Sequence, residues 1–201
     1  MSGEPTWQHD IKDLTMEKHK NAERQEFVKV LMSGNIDKQV YATYLYNQLQ
    51  CYSTLEKYGM HNSLFQQTPG LQRAEAIQYD YKKLWTGDEA PLITESTKEY
   101  CKHLDTIMDD AEKLYAHIYV RHLGDLSGGQ MIKRKTPGPN RYYTFKDKQV
   151  REYKRIVREI INNYLNLYEV NILAEANFCF DSATKLFKEM HDLGKIRKME
   201  G

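Results

Sequence analysis

Several things are scarce in this 201-residue chain, and each scarcity excludes something. Cysteine occurs three times, at Cys51, Cys101 and Cys179, an odd number of distant residues without a Cys-x-x-Cys pair. That excludes a disulfide framework and suits unpaired thiols in a reducing compartment. Net charge is almost absent, with 29 basic residues against 28 acidic ones, so composition gives no reason to expect a nucleic-acid partner. No stretch approaches the roughly 18 apolar residues that a membrane helix needs. The start, Met1-Ser-Gly-Glu-Pro-Thr-Trp7, lacks the basic-then-apolar order of a secretion signal. A soluble, cytoplasmic protein without a membrane partner is the expectation. Prolines stand only at 5, 69, 91, 137 and 139, internal repeats are missing, and no segment alternates as a strand would.

What is present is a core-forming composition. A hydrophobic share of 40% and an aromatic share of 11% predict a folded globule rather than a disordered chain. The length suits one domain over residues 1–201, with about 1–9 and 194–201 flexible. Helical periodicity predicts a first helix from about Asp10 to Met32, stopped by Gly34-Asn35. A second runs from about Asp37 to Tyr58, with Tyr41, Leu45, Leu49, Tyr52 and Leu55 on one face and Gly59 ending it. After a loop over 60–70, Leu71 to Trp85 repeats apolar positions again. Ser96 and Glu99 match a capping box, and the helix they open runs directly into the stretch 121–131. Thr136-Pro137-Gly138-Pro139-Asn140 is a break. The last third is helical, with a break expected among Asn162, Asn163 and Asn166. The fold class is therefore all-α, one bundle of about six to eight helices.

The stretch Arg121-His122-Leu123-Gly124-Asp125-Leu126-Ser127-Gly128-Gly129-Gln130-Met131 carries three glycines within six residues. Each glycine inside a helix costs about 1 kcal/mol relative to alanine, so the cluster needs a reason. A C-terminal cap followed by a loop is one. If the helix continues, Arg121, Asp125, Gly128, Gly129 and Ile132 share a face on which a flat ligand could lie against bare backbone. Leu126-Ser127-Gly128-Gly129-Gln130 also spells the signature of ABC-transporter ATPases. That motif works with a Gly-x-x-x-x-Gly-Lys-Ser/Thr loop, which this chain lacks, so the ATPase reading fails.

The longer string Tyr119-x-Arg121-x-Leu123-Gly124-Asp125-Leu126-Ser127-Gly128-Gly129-Gln130 resembles the distal-helix signature of heme oxygenases. Thr15-x-x-x-His19-x-x-Ala22-Glu23 resembles the proximal helix of the same family, and Tyr52-x-x-Leu55-Glu56 its second helix. The resemblance covers nearly the whole chain in the same order. It implies heme held between a proximal and a kinked distal helix, with His19 as the axial iron ligand and Glu23 orienting its ring. Tyr52, Tyr119, Arg121 and Asp125 fall on the distal hydrogen-bond network. Gly124, Gly128 and Gly129 fall on glycines that contact heme and bound oxygen, and Phe180 and Phe187 on pocket aromatics. Lys12 and Lys154, with Arg151 as the weaker candidate, match positions that hold the heme propionates. Met16 and His122 depart from the family pattern, which more often has lysine and tyrosine there.

The implied reaction is O₂-dependent opening of heme to biliverdin, of the IX-alpha type, with release of CO and iron. Heme b is then both substrate and cofactor, and electrons come from an external donor. Ferredoxin or another small reductase is the donor to expect, docking on Lys133-Arg134-Lys135 and the basic run from Lys148 to Arg158. A bilin reductase is the expected consumer of the product. The basic run could equally be a solvated helix face. In the proposed chemistry Asp125 holds the water that gives a proton to bound oxygen, while bare backbone lets that oxygen bend toward the porphyrin edge. Two alternatives remain open at this point, a heme-sequestering protein without turnover and a helical interaction protein that binds no heme.

Overall fold

The computed structural model of the protein describes residues 9–146 and 148–200; the flexible start expected before His9 lies outside them. Among the described residues there are nine α-helices, one short 3-10 turn and no strand. The helices are α1 (Ile11–Leu14), α2 (Met16–Glu23), α3 (Glu26–Met32), α4 (Lys38–His61), α5 (Ala74–Leu84), α6 (Glu95–Thr106), α7 (Ala111–Leu126), α8 (Gly129–Ile132) and α9 (Gln149–Glu200). The 3-10 turn spans Arg141–Tyr143. Residues 194–200 continue α9 as helix.

Helix α9 is the scaffold. It packs along α7, and α1, α2, α3 and α6 lie against it as well. Helix α4 forms the second beam, under α5, α6 and α7. Their shared core holds Tyr41, Leu45, Leu55, Tyr100, Leu104, Ile118, Val157, Ile161, Ile172 and Ala176, all sealed from solvent. Each large apolar side chain buried there contributes on the order of 1.5–3 kcal/mol. No helix is long and apolar enough to cross a membrane among the described residues.

Several boundaries differ from the sequence expectations, and specific contacts explain some of them. The first predicted helix is three pieces. Thr15 leaves helical geometry at φ −109°, ψ 5°, and its hydroxyl donates back to the Ile11 carbonyl at 2.7 Å. Gln25 is extended at φ −63°, ψ 142° and restarts the chain as α3. Helix α4 begins as expected, because Asp37 Oδ1 accepts from the Gln39 and Val40 amides at 2.9 Å each. It does not end at Gly59. A Cβ there would sit 2.6 Å from the Phe65 ring, so glycine is required by the aromatic packed on it rather than by a turn.

The capping box is also displaced. Thr94 is the cap, its hydroxyl accepting from the Thr97 amide, while Ser96 donates its hydroxyl to Glu189 of α9 and Glu99 meets Lys185. Residues 107–110 interrupt the run that leads to the glycine stretch, giving α6 and α7 separately. The break expected among the asparagines falls instead at Tyr168, at φ −137°, ψ 40°. Asn162 is fully buried and its Oδ1 accepts from the Ile11 amide at 3.0 Å. That contact satisfies an N–H that the start of α1 cannot pair within its own turn. The amide that looked like a helix breaker is an anchor.

Candidate active site

His19 sits in the middle of α2, at the edge of the molecule. Its side chain is 41% exposed, and Nε2 lies 2.8 Å from Glu23 Oε1 one turn on. One ring nitrogen is thus committed to a carboxylate, as a metal-bound histidine requires, and the other is left for a ligand. The ring stacks on Phe180 of α9 with centroids 5.4 Å apart and planes 18° from parallel. The neighbouring Lys18 reaches Asp181 of α9 at 2.9 Å. Two contacts to consecutive residues of α9 therefore set the position and tilt of His19.

The second group of candidate residues is buried and polar. Arg121 Nη1 donates to Gln48 Oε1 at 3.1 Å. Gln48 Nε2 donates to Tyr142 Oη at 3.4 Å and to Tyr44 Oη at 3.0 Å. Tyr142 donates to Tyr52 at 3.0 Å, and Tyr52 donates to Asp125 Oδ2 at 2.7 Å. Every donor in this series points toward Asp125, so each bond polarises the next. Burial pushes the Asp125 carboxyl up to about 6, opposed by the nearby His122 and by the hydroxyls of Tyr52 and Tyr142. The same burial raises Tyr52 and Tyr142 well above the ordinary phenol range. These tyrosines stay neutral donors at any pH near 7.

Helix α7 stops beside this carboxylate. Ser127, at φ −108°, ψ −94°, breaks the helix, and α8 restarts at Gly129. The kink expected in the stretch is real, but a serine makes it. The glycines do something else. A Cβ at Gly124 would meet nothing within 4 Å, and one at Gly128 only the Gly124 carbonyl at 4.0 Å. Gly124, Ser127 and Gly128 are exposed, while Asp125 behind them is buried. This is a bare backbone strip in open space. Gly129 differs, because a Cβ there would come within 2.6 Å of the Tyr143 ring. Its hydrogen faces that ring, so the close packing of Tyr143 itself requires glycine here.

Tyr119 is buried beside Thr15, and that burial lifts its phenol to about 12 despite the nearby Arg158. It joins the distal helix to the kink before His19. Lys12 and Arg151 are exposed on α1 and α9, and Lys154 is half-buried on α9. Phe187 packs with Phe27 and Tyr44, each 6.2 Å away between centroids, at the junction of α3, α4 and α9. His117 and His122, the two histidines of α7, are both engaged. His117 Nε2 meets Glu175 at 2.7 Å and His122 Nε2 meets Glu56 at 3.0 Å. Glu56 in turn accepts from the Arg73 and Ala74 amides at the start of α5. The histidine at position 122 therefore ties α7 to α4 and α5.

Gln48, Tyr142 and Arg73 were not recoverable as site residues from sequence, and Glu56 was quoted only within the second-helix motif, without a role. Gln48 reads as an ordinary helix residue, and Tyr142 follows a Pro-Gly-Pro break that carries no periodic signal. Only the fold brings Tyr142 to Asp125. Its place depends on Asp80, whose carboxylate accepts from the Arg141 and Tyr142 amides at 3.0 and 2.8 Å.

The described residues thus form an all-helical chain with an exposed histidine–carboxylate pair on α2 and, on α7, a bare backbone strip beside a buried, hydrogen-bonded carboxylate. The heme oxygenase family profile matches residues 6–189. Heme oxygenase of Rhodella violacea is 30% identical over 202 residues, covering 90% of this chain and 85% of its own length. Heme oxygenase 2 of Oryctolagus cuniculus is 29% identical, covering 94% of this chain and 68% of its own. Among solved structures, heme oxygenase-2 of Synechocystis in complex with heme and NO superposes with a TM-score of 0.81 at 26% identity, covering 93% of this chain and 86% of that one. Heme oxygenase of Leptospira interrogans gives 0.78 at 27%, covering 89% and 96%. The chain belongs to the heme oxygenase family.

Proposed function

We propose that this chain opens heme bound between His19 and the bare backbone of Gly124 and Gly128, with Asp125 holding the water that delivers protons. The family's reaction is O₂-dependent conversion of heme to biliverdin with release of CO and iron. Heme, as substrate and cofactor, supplies the iron at which oxygen is bound and reduced. The free nitrogen of His19 holds that iron, and Glu23 accepts from the other nitrogen and raises its donor strength. Absence of side chains at Gly124 and Gly128 leaves room for a planar ligand, and Phe180 supports the imidazole from behind.

The observation that carries this reading is the directed series from Arg121 through Gln48, Tyr142 and Tyr52 to Asp125. With a carboxyl near 6, Asp125 can both hold and pass a proton close to neutral pH. Storage of heme without turnover needs no such relay. Lys12, Lys154 and Arg151 pair with the propionates, and Tyr119 fixes the distance between α7 and the His19 segment. The whole chain acts as one domain in the cytoplasm. Lys133 to Lys135 and the exposed bases of early α9 receive an acidic electron donor such as ferredoxin, and a bilin reductase takes the product.

His19→Ala tests the ligand assignment. The variant keeps heme binding through apolar contact and the basic residues, but loses the histidine-ligated spectrum and at least 90% of bilin formation, roughly 1.4 kcal/mol or more in barrier terms. Added imidazole restores the spectrum in part. An unchanged spectrum moves the ligand away from His19.

A further inference from the structure

On the far side of Arg121, three helices bring two histidines and a glutamate to one point. His103 of α6 and His117 of α7 each place Nε2 at 2.7 Å from the same oxygen, Glu175 Oε2 of α9. The donor atoms of the three residues all lie within 4.8 Å of one another. Nothing in the heme site uses them. Two imidazoles and a carboxylate from three separate elements are the ligand set of a borderline divalent ion such as Zn²⁺. We propose that His103, His117 and Glu175 form a divalent-metal site that clasps α6, α7 and α9 together.

The surroundings are those of ligands held in place. The Phe178 ring lies against His103 with centroids 3.9 Å apart, which fixes the imidazole plane. His117 is fully buried and Glu175 is 8% exposed, while the His103 side chain is 26% exposed. The ion thus has an entrance on the His103 side and room there for a water as fourth ligand. Among the described residues no hydrogen bond reaches Glu175 Oε1, so the second carboxylate oxygen is available too. Burial would raise the Glu175 carboxyl, yet the hydrogen bonds from His117 and His103 hold it below the usual range, so it is a carboxylate at neutral pH.

The protons balance. Coordination needs both Nε2 lone pairs, so each ring carries its single proton on Nδ1. For His117 that proton faces Tyr100 Oη at 2.9 Å, and the Tyr100 hydroxyl turns to Cys179 Sγ at 3.7 Å. His103 gives its Nδ1–H to solvent. In each neutral ring the Nε2 proton that now faces Glu175 is thereby relocated to Nδ1, and no net proton leaves the site. Zinc bonds of about 2.0–2.2 Å place tetrahedral ligand atoms roughly 3.3 Å apart, so the two contacts now at 2.7 Å open by about 0.6 Å when the ion enters. Tyr100 also lies under the Arg121 guanidinium, 4.1 Å from its ring centroid. The clasp therefore sits one residue away from the head of the Asp125 relay.

The test titrates heme-free protein with Co²⁺, then displaces it with Zn²⁺, in a His19→Ala background that removes the exposed His19–Glu23 pair as a competing site. One Co²⁺ per chain is expected, with the strong visible absorption of four-coordinate cobalt. His103→Ala and Glu175→Gln each weaken binding at least tenfold, Cys179→Ser leaves it within twofold, and affinity falls as pH is lowered because protons compete with the metal for its ligand atoms. Zn²⁺ raises the melting temperature of the parent and not that of His103→Ala. Lack of saturable uptake by the parent overturns the site. So does uptake that is the same in His103→Ala, whose half-exposed position lets the fold survive the change.

Discussion

On the His19 side the chain is cut into helices of four, eight and seven residues, and its key pair is open to solvent. On the Asp125 side two helices of 24 and 16 residues bury Tyr52 to 1% and Asp125 to 5% exposure. The first wall is held by a stacked ring and two surface ion pairs, each contributing about 0–1 kcal/mol. The second is held by a run of buried hydrogen bonds, where leaving one group unpaired costs about 1–3 kcal/mol. On the proposed reading the difference matches two tasks: the His19 side admits a large flat molecule, while a relay at Asp125 works only if its donors keep their order.

Glycine substitutions separate lining from packing within six residues. Gly129→Ala drives a methyl into the Tyr143 ring and is expected to destabilise the fold by about 1–3 kcal/mol, seen as a lower denaturant midpoint. Gly124→Ala meets open space and is expected to leave stability within about 1 kcal/mol of wild type, since alanine also favours helix. Its effect appears instead as weaker hemin binding. Equal stability of the two variants would erase the distinction between lining and packing glycines.

A smaller effect is expected where the relay is cut at Tyr142. Tyr142→Phe removes the donor to Tyr52 and leaves Gln48 with one acceptor fewer, at a cost of about 1–2 kcal/mol in stability. Bilin formation falls severalfold while hemin affinity holds. A wild-type turnover rate in this variant would show that the relay is structural. The smallest effect belongs to the open wall. Glu23→Gln should change stability by less than about 1 kcal/mol, and should alter the spectrum of the histidine-bound complex more than the fold.

The sequence carried the His19–Glu23 contact well, because the two residues are one turn apart and local spacing decides it. It carried the helix starts unevenly. The second helix starts at Asp37 as expected, whereas Ser96 lost its capping role to Thr94 because Glu189, 93 residues away, takes its hydroxyl. Gly59 and Asn162 mislead for the same reason. Each answers to a partner distant in sequence or across a turn, Phe65 and Ile11, rather than to its local propensity. The relay was half legible. Tyr52, Arg121 and Asp125 lie on periodic helix faces, but Gln48 and Tyr142 enter only through tertiary packing.

On the proposed reading, Asp125 is buried for chemistry at the expense of stability. Its folded pKa of about 6 exceeds the usual 3.8, so the folded state binds the proton more tightly than the unfolded chain. Stability from this group is therefore greatest below about pH 4 and declines as pH rises to about 6, where a cost on the order of 3 kcal/mol is fully present. Asp125→Asn keeps an acceptor for Tyr52 and removes the charge. The decisive measurement pairs bilin formation, with hemin and reductant in air, against the denaturant midpoint at pH 7.5 for this one variant. Loss of at least 90% of bilin formation with equal or greater stability and unchanged hemin affinity is the predicted result. Bilin formation at the wild-type rate would contradict the account.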